Sequence, residues 1–221
     1  PATGVIRPKV VVREMQTWTP QQAVQFLAAA KADRLYGLYA VLLGTGMRIG
    51  EALGLSWSDW DPQRGTLTIR RQLTEVSGQL SFGEPKTERG KRTVRLPGFA
   101  AAAMQEHRTR MQAEGHEMND RLLIFVDTEG HPIRRGNLRR RSFARVLKWA
   151  GLPPCRLHDL RHACASLHLR RGTSPVVVQQ MLGHARVSIT LDRYSHALPI
   201  LQEEAAAGLD ELLTSVPTPA R

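Results

Sequence analysis

The chain is short of several things at once, and each shortage removes a class of protein. It has two cysteines in 221 residues, Cys155 and Cys164, nine positions apart and in no CxxC pair. Neither a disulfide framework nor a thiolate metal cage is encoded, and both thiols are expected to be reduced and in the core. No apolar run approaches the ~20 residues that cross a bilayer, and residues 1–19 lack the continuous apolar stretch of a signal peptide. No membrane partner is expected, and the expected location is the cytoplasm. There is no internal repeat. The chain has no initiator methionine and begins at Pro1, which points to a fragment of something longer. Acids are also scarce: 20 Asp and Glu face 31 Lys and Arg, a net charge of +11. A surface of that sign repels cations and collects along a polyanion, which makes nucleic acid the first partner to consider.

What is present reads as one compact domain with an ordinary apolar content of 42%. Residues 1–18 mix Pro, Val and Arg without helical period and read as an extended linker. The domain proper spans 19–213, and 214–221 (TSVPTPAR) reads as a disordered tail. Thr19, Pro20 and Gln22 form an N-cap, a first-turn proline and a capping-box partner for a helix that turns Val24, Phe26, Leu27 and Ala30 inward. A strongly apolar helix over 35–43 stops at Gly44-Thr45-Gly46 and sets Arg48 just ahead of a further helix over 49–55. Residues 66–73 and 91–96 alternate β-branched with polar side chains, as two half-buried strands of one sheet do. Residues 81–90, between them, form a mobile hairpin tip that carries Lys86. Helices follow at 99–113 and 137–150, then one with Leu157, Leu160, Cys164 and Leu167 on its apolar stripe. Short helices at 176–182 and 189–195 and an amphipathic stretch at 199–213 complete the chain. The expected class is mainly α with a small antiparallel β-sheet (α+β).

Six reactive side chains are distributed along this framework: Arg48 in TGMRIGEALGL, Lys86 in PKTERGKRTV, His158 and Arg161 in HDLRH, His184 in LGH, and Tyr194 in DRYSH. Cations, imidazoles and a phenol with no paired acids suit attack on a phosphodiester without a metal. His158 and Arg161, three positions apart on a helix, leave from one face and converge on one phosphate. Arg48 approaches from the other side, and two guanidinium forks match the non-bridging oxygens of a pentacoordinate transition state. A tyrosine hydroxyl, with an ordinary pKa near ~10, needs local positive charge to become a nucleophile. Arg193, His184 and Arg161 supply it. Lys86 is the candidate acid for the departing oxygen, with Lys91 as the competing lysine. Arg139, Arg140, Arg141, Arg145 and Lys148 on the 137–150 helix form a basic face that suits phosphate tracking, although such a run also occurs as a merely solvated face. His158 and His162 stand at the i, i+4 spacing of zinc proteases, but Asp159 replaces the general-base Glu and Arg161 sets a positive charge beside any metal. Asp159 and His162 are instead expected to buttress the helix, and no metal site is expected.

With these residues assembled, the chain resembles the tyrosine recombinases of the phage integrase family. TGMRIGEALGLSWSDWD resembles the first arginine box, PKTERGKRTVRLP the hairpin lysine, HDLRHACASLHLRRG the HxxR box, and VVVQQMLGHARVSITLDRYSH the final histidine and nucleophile box. The likeness runs from about Thr19 to Leu213. ACAS after HDLRH departs from the commoner TFAS-like run. The resemblance implies that Tyr194 forms a 3′-phosphotyrosyl bond while Arg48 and Arg161 clamp the phosphate. His158 and His184 assist proton movement or bind the phosphate, Lys86 protonates the 5′-hydroxyl, and Glu51 supports Arg48. Energy kept in the phosphotyrosine implies no cofactor, neither ATP nor a metal. It further implies double-stranded DNA as partner, a helical N-terminal domain completing a clamp, and a C-terminal helix around Leu209 that docks a neighbour in a tetramer. The implied function is site-specific strand cleavage and rejoining, for integration or excision of a mobile element. Relaxation of DNA in the manner of type IB topoisomerases and a non-catalytic DNA-binding accessory role on the same fold are the alternatives.

Overall fold

Thr19 starts the first helix in the way its side chain dictates. Its Oγ1 accepts from the Gln22 amide at 3.2 Å, and the Gln22 side chain accepts from the Thr19 amide at 2.9 Å, with Pro20 at the first helical position. The structure, a computed structural model, describes residues 18–85, 90–184, 186–187, 206, 209–210 and 214. Lys86, Tyr194, the helix expected at 189–195, nearly all of the 1–18 linker and most of the stretch from 199 onward lie outside the described residues. α1 (Pro20–Ala30) buries Ala23, Phe26 and Ala30. Val24 was expected inside but is 66% exposed, because it lies about 100° around the helix from Ala23 and off the stripe those residues set. Trp18, at the end of the expected linker, is buried with its ring 4.9 Å from Phe26.

α2 (Tyr36–Thr45) is buried along its whole length. A helix apolar all round belongs at the centre of a fold, and it packs on α4 (Gly98–Ala113) and on α7 (Asp159–Arg170). Gly46 ends it in the left-handed region at φ 62°, a conformation glycine adopts without a Cβ penalty. The chain then passes through extended Arg48 into α3 (Ile49–Leu53), shorter than the 49–55 expected.

β1 (Trp60–Asp61), β2 (Thr66–Ile69) and β5 (Arg92–Arg95) make one antiparallel sheet in the order β1-β2-β5, with Leu67 opposite Val94. The two expected strands therefore do share a sheet, but 66–73 is not one strand. It breaks at Arg70 and Arg71: Arg70 reaches Asp59, and Arg71 Nε reaches the Gly54 carbonyl at 2.8 Å. The chain restarts as a separate hairpin, β3 (Gln72–Val76) with β4 (Gln79–Gly83). Ser77 and Gly78, at φ 49° and 77°, supply the two positive dihedrals of a tight hairpin turn. The tip expected at 81–90 is thus partly strand.

The long basic helix is continuous but not uniform: α5 (Arg135–Asn137), a π-helical turn Leu138–Phe143, then α6 (Ala144–Trp149). The wider turn lets Leu138, Ser142 and Phe143 all be buried while three arginines between them stay outside. Tyr39 OH meets Ser142 Oγ at 2.6 Å, and Ser142 Oγ donates to Asp33 Oδ1 at 2.8 Å, so the turn is anchored to the start of α2. α7 and α8 (Pro175–Leu182) enclose Ala165, Leu169, Val178 and Leu182. Cys155 is half-buried and Cys164 buried, both as free thiols. Burial pushes each thiol up to about 12. Among the described residues, no helix is long and apolar enough to cross a membrane.

Candidate active site

Glu51 is fully buried at the third position of α3, and it organises one side of the site. Its Oε2 accepts from the Arg48 amide at 2.8 Å and its Oε1 from Arg48 Nη1 at 2.7 Å. Arg92, from β5, adds Nη2 to Oε2 at 2.9 Å and Nη1 to Oε1 at 3.3 Å. Burial drives the carboxyl upward, but the hydrogen bonds and charge of Arg92, joined by those of Arg48, outweigh it and hold Glu51 below the ordinary glutamate range. One buried negative charge thus carries two positive ones. The Arg48 side chain is 40% exposed against 9% for Arg92, so Arg48 presents the surplus charge to solvent.

Arg161 is buried one turn into α7. Its Nη1 donates to the Gly46 carbonyl at 2.7 Å and its Nη2 to the Leu182 carbonyl at 2.9 Å. One guanidinium therefore joins the turn that precedes Arg48 to the end of α8 that precedes His184. Gly183 closes α8 at φ 69°. Buried His184 follows, its amide donating to the Gln179 carbonyl at 3.1 Å and its carbonyl accepting from the Gln179 side chain. A cavity of about 410 Å³ opens here, lined by Lys91, Arg92, Gln179, Gln180, Gly183 and His184.

His158 stands at the N-cap of α7 with helical backbone angles, so it keeps the one-turn spacing to Arg161. Its ring lies edge-on to that of buried His162, centroids 4.7 Å apart. Asp159 accepts from the Arg156 amide at 2.7 Å and from Arg156 Nη2 at 2.9 Å, which fixes the start of the helix. Lys91 Nζ lies 2.7 Å from Glu84 Oε1. Arg139, Arg140, Arg141 and Lys148 are exposed on the basic helix. Arg145 is also exposed, and part of its charge is met within the protein: its Nη2 donates to the buried Asp33 carboxylate at 2.8 Å, and its guanidinium lies 5.0 Å from the Trp149 ring centre.

Arg92, Gln179 and Asp33 were not singled out from the sequence. Arg92 left a readable trace, since it shares a strand face with buried Val94, and a charged residue on an inward face requires a buried counter-charge. Gln179 and Asp33 left none, because each is defined by partners remote in the fold.

Helices around two small antiparallel sheets, with Arg92 and Arg161 tying separate elements together, describe a class with solved members. The Tn1549 transposon integrase in complex with circular intermediate DNA aligns at a TM-score of 0.74 and 26% identity, covering 91% of this chain and 68% of that one. XerA recombinase shares the fold at a TM-score of 0.70 and 24% identity, covering 90% and 66%. The architecture is that of the tyrosine recombinase catalytic domain. Residues 16–199 match the phage integrase family, and the chain belongs to that family. Its relatives include a "Tyrosine recombinase XerC-like" protein of Caldanaerobacter subterraneus subsp. tengcongensis, 30% identical over 90% of this chain and 55% of the relative. The ICEBs1 integrase of Bacillus subtilis is 29% identical over 96% and 59%. The chain thus spans a little over half the length of these curated relatives.

Proposed function

We propose that this chain is the strand-cleaving and strand-joining domain of a site-specific DNA recombinase that integrates or excises a mobile element. The observation that supports the reading is the pair of hydrogen bonds from Arg161 to the Gly46 and Leu182 carbonyls, two residues before Arg48 and two before His184, in a chain of the phage integrase family. Tyr194 Oη attacks phosphorus, and the 5′-oxygen leaves with a proton from Lys86. The 3′-phosphotyrosyl bond then holds the energy of the broken phosphodiester. A 5′-hydroxyl from another strand attacks that bond, the phenol departs, and a new phosphodiester forms. One phosphodiester replaces another of like energy, so the exchange needs no ATP, and the reading uses no metal or other cofactor. Arg48 and Arg161 neutralise the charge that builds on the non-bridging oxygens, and His158 and His184 bind the phosphate or pass protons. Glu51 and His162 hold Arg48 and His158, and Asp159 holds the helix start.

Double-stranded DNA is the partner, tracked along its backbone by Arg139, Arg140, Arg141 and Lys148. Residues 1–18 serve as linker, 19–213 as catalytic domain and 214–221 as tail. The acidic amphipathic stretch at 199–213 joins protomers in a tetramer on DNA, in the cytoplasm. The test is a nicked duplex whose cleavage traps the covalent intermediate, followed by a second duplex offering a free 5′-hydroxyl. Recombinant joints are expected. Relaxation of a supercoiled plasmid without joints would favour the topoisomerase-like reading, and DNA binding without any adduct would favour the accessory one.

A further inference from the structure

Arg92 makes bonds to three parts of the site and presents little of itself to solvent. Its Nε donates to the Met181 carbonyl at 2.8 Å, three residues before His184. Nη1 donates to the Gly90 carbonyl at 3.1 Å, where the connection carrying Lys86 rejoins β5. Nη1 and Nη2 together hold Glu51, which in turn holds Arg48 by amide and guanidinium. An arginine has five N–H groups, and four of these are engaged by protein acceptors. Its side chain is 9% exposed where that of Arg48 is 40%. The two arginines that share Glu51 therefore differ in kind: Arg48 is open to an arriving anion, and Arg92 is committed to the frame.

We propose that Arg92 is a positioning residue that, through Glu51, holds the Arg48 guanidinium in register with the end of α8. This rests on the reading of the site as one for phosphodiester cleavage. Arg92 fixes both oxygens of Glu51, and the carboxylate plane aims the Arg48 guanidinium. The same side chain ties Gly90, just ahead of β5, to Met181 in the last turn of α8. A lysine at this position keeps the charge, but a single ammonium cannot reach Glu51, Gly90 and Met181 in the fork geometry a guanidinium provides.

The experiment measures single-turnover cleavage of a nicked duplex and DNA affinity for the 221-residue chain and for Arg92→Ala, Arg92→Lys, Arg48→Ala and the Arg48→Ala/Arg92→Ala pair. A displacement of the reacting groups by about an ångström costs on the order of a hundredfold in rate, and that loss is expected for Arg92→Ala with DNA affinity kept within about twofold. Arg92→Lys, which retains the partner charge of Glu51, is the variant to read if Arg92→Ala does not fold, and it too should cleave slowly. Because Arg92 acts largely through Arg48, the pair should be slower than Arg48→Ala alone by no more than about threefold. On a duplex with a neutral methylphosphonate at the scissile position, the Arg92→Ala penalty should shrink, since Arg48 has less charge to neutralise. Cleavage at the unsubstituted rate by Arg92→Ala or Arg92→Lys, or a full Arg92 penalty in the Arg48→Ala background, would overturn the positioning role while leaving the function intact. Absence of any adduct from the unsubstituted chain would overturn both.

Discussion

Arg161 Nη1 donates to the carbonyl oxygen of Gly46 at 2.7 Å across 115 positions of sequence. The bond fastens the guanidinium of α7 to the turn that delivers Arg48, and the partner bond from Nη2 to Leu182 adds the end of α8. Both acceptors are backbone carbonyls, so the arrangement depends on backbone path more than on the side chains of the turn.

Gly46→Ala tests that dependence. The residue sits at φ 62°, and an added Cβ would stand 2.5 Å from Leu182 Cδ2 and 3.2 Å from Cys164 Sγ. The left-handed conformation alone costs a non-glycine residue about 1–2 kcal/mol, and the clash adds to it. Urea denaturation should show a loss of at least about 2 kcal/mol, with DNA cleavage falling further than stability does. Unchanged cleavage in a folded Gly46→Ala chain would show that the turn does not set the position of Arg48.

Glu51→Gln keeps the shape and removes the one buried charge that Arg48 and Arg92 share. Breaking a buried ion pair from one side costs several kcal/mol; with Arg48 partly solvated, a loss of about 3 kcal/mol at neutral pH is expected. The pH dependence follows from the lowered pKa. The stabilisation is fully present above the ordinary glutamate value and disappears as pH falls through the lowered one. Wild type and Glu51→Gln should therefore converge in stability toward acid, as read by chemical denaturation at a series of pH values.

Much of this frame was legible in the sequence because it rests on local rules. Thr19 with Pro20 and Gln22, Gly46 and Gly183 announce helix ends through their own backbone preferences, and HDLRH announces a shared face through its spacing. What escaped depends on partners far along the chain. The 66–73 run alternates like one strand, yet Arg70 and Arg71 find acceptors at Asp59 and Gly54 that no local pattern reveals. Arg145 reads as one more cation on a basic face, and only the buried Asp33 beneath it shows that it is held there. Val24 differs for a smaller reason: an apolar residue at the edge of a helical stripe counts as inside by composition and lies outside by angle.

His107 gives a second pH effect. It is buried between Trp57 and Phe125, with Nε2 2.8 Å from the Ile124 carbonyl, and burial pushes its pKa down to about 4. The imidazole is neutral when folded and protonates more readily when unfolded. Its stabilisation is complete above about pH 6.5 and is lost as pH falls toward 4, a loss on the order of 3 kcal/mol. His107→Leu should flatten that part of the stability profile. The remaining slope belongs in part to His168, whose pKa burial also lowers.

The basic helix divides into two kinds of arginine. Arg145→Ala removes the cation beside Asp33 and should cost about 1–2 kcal/mol of stability while leaving the salt dependence of DNA binding nearly unchanged. Arg140→Ala, on an exposed side chain, should leave stability unaltered and reduce the magnitude of the log–log salt slope by about one. The opposite assignment of the two effects would place Arg145, and not Arg140, on the phosphate backbone.

The measurement that bears most directly on the whole account is the identity of the residue bonded to DNA. The chain is incubated with a nicked duplex, digested with trypsin, and the peptide carrying the nucleotide is sequenced by mass spectrometry. The adduct is expected on Tyr194 and absent from Tyr194→Phe; a covalent adduct that persists in Tyr194→Phe, or that maps to any other side chain, rules out Tyr194 as the nucleophile.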